Sequence, residues 1–115
     1  MGASPELLAT VAPKSVTAPV AMAIAEELGG LPSLTAVLVI VTGVMGAMLG
    51  PLVLDLVGIK DWRARGLAIG TTSHGIGTAR ALTVNDTAGA FAGLAMGLNA
   101  LATALLLPIL WGLFF

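Results

Sequence analysis

The chain has 115 residues, 57% of them hydrophobic and 10% charged, with a formal net charge of −1, one histidine and no cysteine. Soluble domains average about 25% charged residues, so this composition speaks against a water-soluble globule. The charge balance gives no basic surface for nucleic acid, and the missing cysteine excludes a disulfide framework, a thiolate nucleophile and a Cys-ligated metal.

In chain order, Met1 to Glu6 lacks the basic stretch and apolar run of a secretory signal, so insertion is expected to rest on the hydrophobic segments themselves. Ser4-Pro5-Glu6 starts a helix, with Ser as cap, Pro at the first helical position and an acid in the first turn. This helix runs through Leu7, Leu8 and Val11 and stops near Pro13. Lys14-Ser15-Val16-Thr17-Ala18-Pro19 is a break, and Pro19 opens a second short helix ending at Gly29-Gly30. Leu31 to Leu54 is the first clean span. Residues 28–54 and 87–115 carry no charge, and each window exceeds the ~20 apolar residues that cross a bilayer core. The charged loop Asp55 to Arg65 follows, and its Lys60, Arg63 and Arg65 predict a cytoplasmic side. Asp61 caps a helix through Leu67 and Ile69 that is expected to break at Ser73-His74-Gly75-Ile76-Gly77. A short helix from Thr78 to about Val84, a turn at Asn85-Asp86 with Gly89, and a second clean span from Ala90 to Phe115 complete the chain.

These features return in order. Ser4 and Asp61 are 57 positions apart, Ser15 and Ser73 are 58, and the pairs Thr42/Asn99 and Pro51/Pro108 are each 57. The competing explanation is chance similarity between Ala/Gly/Leu-rich stretches. The expected fold is therefore an all-α integral membrane protein in one domain, residues 1–115. It has two clean transmembrane helices and two broken helical segments, re-entrant or interrupted, arranged as an internal repeat of about 4–54 and 61–115. A broken segment of ~25 residues reaches ~37 Å if helical, enough for one interrupted crossing or for a hairpin returning to its own side. Crossings give parallel repeats and hairpins inverted ones; the polarity of the second segment tips the expectation toward hairpins.

The breaks are also where chemistry is expected. A helix N-terminus in low dielectric offers free N–H groups and a positive dipole end, which favours an anion. One such end is implied at Thr17 to Pro19 and another at Gly77 to Ala79. Lys14 accompanies the first and Arg80 the second, with hydroxyls from Ser15, Thr17, Thr71, Thr72, Ser73 and Thr78. Cation, hydroxyls and helix end together suit a small carboxylate, and the Arg80 fork can grip both of its oxygens. Plainer roles compete: Lys14 can snorkel to the interface, and Arg80 can pair with Asp86, although their spacing is poor for a helical pair. His74 can donate to a carbonyl freed by the break or touch substrate, with a proton relay as a lesser alternative. Thr42 and Asn99, in mid-span, are expected to hydrogen-bond between helices rather than face a cavity.

Gly75 and Gly77 fit a backbone that bends or approaches a ligand, but no strand or third glycine supports a dinucleotide fingerprint. Gly46/Gly50, Gly66/Gly70, Gly89/Gly93 and Gly93/Gly97 allow close helix packing. No metal site, catalytic triad or cofactor is expected, so an enzyme is not.

Three stretches resemble one family. Ala12-Pro13-Lys14-Ser15-Val16-Thr17-Ala18-Pro19-Val20-Ala21-Met22 is similar to the PKSVTTPIAM segment of the LrgB/CidB family, with Ala18 standing where Thr is usual. Gly70 to Ala81 resembles its SHGIGTARA signature, and Gly89 to Asn99 the start of its last helix. The resemblance covers only the C-terminal half of the longer family members. It implies a multi-pass protein of the bacterial inner (cytoplasmic) membrane, or of the plastid envelope in a plant. The implied function is secondary transport of a small monocarboxylate such as glycolate, glycerate or pyruvate. The alternative is an antiholin-like regulator of murein hydrolase export and autolysis, acting as an oligomeric pore or modulator. The implied partners are the lipid bilayer, the carboxylate, an LrgA/CidA-like membrane protein, and either further copies or the missing N-terminal half. Substrate binding falls on Lys14, Ser15, Thr17, Ser73, His74, Gly75, Gly77, Thr78, Arg80 and Asn99.

Overall fold

Ser4 caps the first helix as its sequence predicts: its hydroxyl accepts the N–H of Leu7 at 3.2 Å. The computed structural model describes residues 2–115, which form helices joined by short turns, with no strand among the described residues. The first helix, α1 (Pro5–Val11), gives way to two tight turns in which Lys14 N–H reaches Val11 O and Val16 N–H reaches Pro13 O. Helix α2 (Ala18–Glu27) starts with Pro19 in its first turn and stops at Gly29, whose φ of 84° is left-handed. There Gly30 N–H reaches back to Ala25 O at 2.7 Å and Gly29 N–H to Glu26 O at 3.2 Å, the paired bonds that end a helix on a glycine.

Two buried threonines tie this segment together. Thr10 Oγ1 accepts the N–H of Leu31 at 2.9 Å, and Thr35 Oγ1 donates to Thr10 O at 2.8 Å. A side chain at Gly30 would collide with the Thr10 backbone. Residues 10 and 30 thus lie side by side, and the chain between them goes out and comes back. At its far end Val16 packs with Ala21 and Val39.

Helix α3 (Pro32–Leu56) starts beside Thr10, passes Val16 at Val39 and closes on Gly58 (φ 76°) with the same pair of bonds, Gly58 N–H to Asp55 O and Ile59 N–H to Leu54 O. Helix α4 (Trp62–Val84) begins at Asp61, whose carboxylate accepts Arg63 N–H at 2.9 Å. The Arg63 side chain also bonds that carboxyl, and holds it below the usual carboxylate range. At His74 (φ 42°, ψ −130°) the helix is interrupted, leaving arms 62–73 and 75–84. The arms fold back on each other. A side chain at Gly77 would meet Ile69 Cγ2 at 2.8 Å, and one cavity is lined by both Trp62 and Val84. Helix α5 (Asp86–Phe114) follows at once, because the Asn85 side chain caps it by accepting Ala88 N–H at 3.0 Å.

Packing uses small residues. A side chain at Gly66 or Gly70 would run into the carbonyls of Ala88 and Ala92, so the first arm of α4 lies directly on the α5 backbone. Gly46 leaves the space that the Ser73 hydroxyl occupies, and Gly50 faces Ile69. Of the predicted pairs, Gly97 meets nothing within the chain. Helices α3 and α5 have mean hydropathies of 2.4 and 1.9 over their most apolar stretches, are long enough to cross a membrane, and turn most of that surface outward.

Two expectations are corrected. The second break is one residue, His74, rather than the five from Ser73 to Gly77, so the returning arm starts at Gly75 and not at Thr78. The polar run is accommodated in helix because its hydroxyls find carbonyls of that helix: Thr71 bonds Leu67 O at 2.7 Å, Thr72 Ala68 O at 2.8 Å and Thr78 His74 O at 2.8 Å. The last helix starts at Asp86 rather than Ala90, since Asn85 serves as a cap where a longer turn was expected.

Candidate functional site

Asn99, halfway along α5, donates through Nδ2 to two carbonyls, Ser15 O at 3.2 Å and Thr71 O at 3.0 Å. Ser15 lies in the turns between α1 and α2. Thr71 lies in the last turn before His74, where the carbonyls lose their onward partners because the helix stops. One amide therefore joins the two breaks, as the interhelical bonding expected of Asn99 required. Thr103 Oγ1 lies 3.4 Å from the remaining oxygen, Oδ1.

His74 takes a backbone conformation that glycine tolerates and L side chains resist, although Gly75 stands next to it. Its imidazole explains the choice: buried, it places Nε2 2.8 Å from Val39 O on α3. A carbonyl only accepts, so Nε2 carries a proton and Nδ1 is left for other partners. Gly43 makes room for the ring, because a Cβ there would sit 2.6 Å from His74 Cε1. Ser73, fully buried, puts its hydroxyl against Gly46 and 3.4 Å from Thr72 Oγ1.

Two helix beginnings accompany these groups. The returning arm starts at Gly75, with Gly77 pressed onto Ile69 and Ser73, and Thr78 Oγ1 bound to His74 O. Helix α2 has Thr17 as its cap, without a side-chain hydrogen bond to the helix. The first-turn N–H groups of such an end have no intrahelical acceptor. Lys14 and Ser15 are half-buried beside that end, and Lys14 forms no ion pair among the described residues.

Arg80 is elsewhere. It is an exposed residue on the second turn of the returning arm rather than at its start, and lines an open cavity with Val44, Ala47, Met48 and Ile76. The first break meets α3 higher up, at Val39. Arg80 makes no ion pair with Asp86 or another acid among the described residues. The structure thus brings Ser15, His74, Thr78 and Asn99 into one bonded chain through Thr71 and α4, and leaves Arg80 apart.

Sequence reasoning missed Arg65. It is buried, donates to Asp55 Oδ1 and Ile59 O at 2.8 Å each, and lies 5.5 Å from the Trp62 ring centre. It straps the end of α3 to the start of α4. The only signal was an acid ten positions upstream in the same charged loop.

Comparison with known proteins gives a consistent result. The model of the LrgB-like family matches residues 1–113. A Haemophilus influenzae protein described as uncharacterized is 40% identical over all of this chain and 50% of its own length. Staphylococcus epidermidis holin-like protein CidB is 40% identical over 99% of this chain and 50% of its own, and the Staphylococcus aureus protein of that name is 37% identical over the same shares. The chain spans about half the length of the curated relatives it matches. No solved structure matches it.

Proposed function

The chain belongs to the LrgB-like family of membrane proteins, and from that premise we propose that it is part of a carrier for a small monocarboxylate of the glycolate, glycerate or pyruvate kind. The observation that carries this reading is the Asn99 amide spanning Ser15 and Thr71. Interrupted backbone is costly in hydrocarbon unless it is buried in protein or lines a wet cavity, and carriers assemble their sites from such interruptions. In this reading the segment 5–27 and α4 are re-entrant hairpins entering from opposite faces, and residues 4–54 and 61–115 form an inverted repeat. The helix ends at Thr17 and Gly75, with Lys14, supply positive potential for the carboxylate. Ser15, Thr17, Ser73 and Thr78 supply hydroxyls, Gly75 and Gly77 permit close approach, and His74 Nδ1 and Asn99 complete the polar lining. The loop with Lys60 and Arg63 faces the cytoplasm in a multi-pass inner-membrane arrangement.

The printed names of the staphylococcal relatives favour a second reading, and they weigh more for it than for carboxylate transport. There the protein is a holin-like pore, or an antiholin-like regulator of murein hydrolase export and autolysis, acting as an oligomer or with an LrgA/CidA-like partner. Proteoliposomes separate the two. The chain is reconstituted alone and with the remaining half of a longer relative, and glycolate and pyruvate uptake is measured. A carrier gives saturable uptake that Lys14→Ala lowers about tenfold or more, the worth of one charge-assisted contact. Leakage proportional to the gradient and indifferent to Lys14→Ala overturns the carrier reading in favour of the pore.

A further inference from the structure

Arg80 and Arg65 line one cavity. It measures about 200 Å³ and lies between the two arms of α4, the end of α3 and the start of α5, with Pro51, Trp62, Ile69, Ala81, Val84 and Ala88 completing its wall. The two cations differ. Arg65 is held in place by Asp55, the Ile59 carbonyl and the Trp62 ring, so its position is set. Arg80 has no acid within ion-pair distance among the described residues, yet it stands on a helix arm packed against apolar α3. A guanidinium without a counter-charge beside low-dielectric walls attracts an anion, whereas Arg65, neutralised by Asp55, shapes the wall without adding net charge.

We propose that this cavity is an oxyanion site at the basic-loop end of the molecule, separate from the two breaks, with Arg80 as the gripping residue and Arg65, held by Asp55, as part of its rigid wall. Arg80 also lines the larger open cavity that reaches Ile76, two residues beyond His74. An anion held here therefore stands between the basic loop and the second break. The identification of that anion as the carried monocarboxylate rests on the carrier reading; the site itself does not. A lipid phosphate at the membrane surface offers the same chemistry.

Trp62 borders the cavity and reports its occupancy. The full chain carrying Trp111→Phe, which leaves Trp62 as its sole tryptophan, is placed in neutral-lipid nanodiscs and titrated with glycolate. A second set of nanodiscs contains anionic lipid and no glycolate. The expected result is a change in Trp62 fluorescence in at least one set, which identifies the source of the anion. Arg80→Gln weakens a glycolate response about tenfold or more, or removes a lipid response, while Arg80→Lys retains part of it. Arg80 is exposed and outside the packed interfaces, so the variant is expected to fold. No response in either set, or one that Arg80→Gln leaves unchanged, overturns the proposal. Failure of uptake in proteoliposomes overturns only the carrier reading, because it leaves this binding measurement standing.

Discussion

At the scale of single residues, His74 and Asn99 determine how the breaks are held. His74 is strained at φ 42° and anchored by Val39 O. Strain of this kind costs about 1–3 kcal/mol and a neutral hydrogen bond returns about 0.5–1.5 kcal/mol. His74→Gly loses the bond but relieves the strain; His74→Ala loses the bond and keeps the strain. The glycine variant is expected to be the more stable of the two by about 1 kcal/mol or more, read as thermal unfolding in detergent. Equal stability would mean that the reversal is imposed by packing alone. Asn99→Leu abandons two carbonyls at once and is expected to destabilise by about 1–3 kcal/mol in the same assay.

At the scale of elements, the packing of α4 on α5 depends on glycine. Gly70→Leu should prevent the first arm from reaching α5 and reduce the yield of monodisperse protein severely, whereas Gly97→Ala, in open space, should leave yield and melting temperature unchanged. The hydropathy of α3 and α5 and the capping roles of Ser4 and Asp61 could be read directly, because they depend on local sequence. The extent of the second break could not. Thr71, Thr72 and Thr78 look like loop residues by composition, but each hydroxyl is satisfied by a carbonyl of its own helix, so the helix tolerates it. The position of Arg80 follows from that. With the reversal at His74, three residues earlier than a restart after Gly77 implies, Arg80 moves from the helix end down its flank. Thr10 and Thr35 were unreadable for another reason: their partners are backbone atoms brought together by tertiary folding.

At the scale of the whole molecule, the out-and-back paths of residues 10–30 and of α4 have a topological consequence that can be measured. The chain contains no cysteine, so single-cysteine variants carry one label each. If both paths return to their own membrane face, Lys60→Cys and Thr87→Cys are modified from one face, and Ala3→Cys and Glu27→Cys from the other. An impermeant thiol reagent on right-side-out and inverted vesicles distinguishes them. Opposite faces for residues 60 and 87 would make α4 an interrupted crossing and overturn the inverted arrangement.

The Asn99 amide has two hydrogens, and both are committed, one to each break. A solute that claims either hydrogen must release a carbonyl, and the released oxygen needs water or a new donor. In the carrier reading, occupancy and fastening would be mutually exclusive at this residue, latched when empty and unlatched on one side when filled. A single side chain would thereby convert the arrival of a small molecule into freedom of one half of the structure to move against the other.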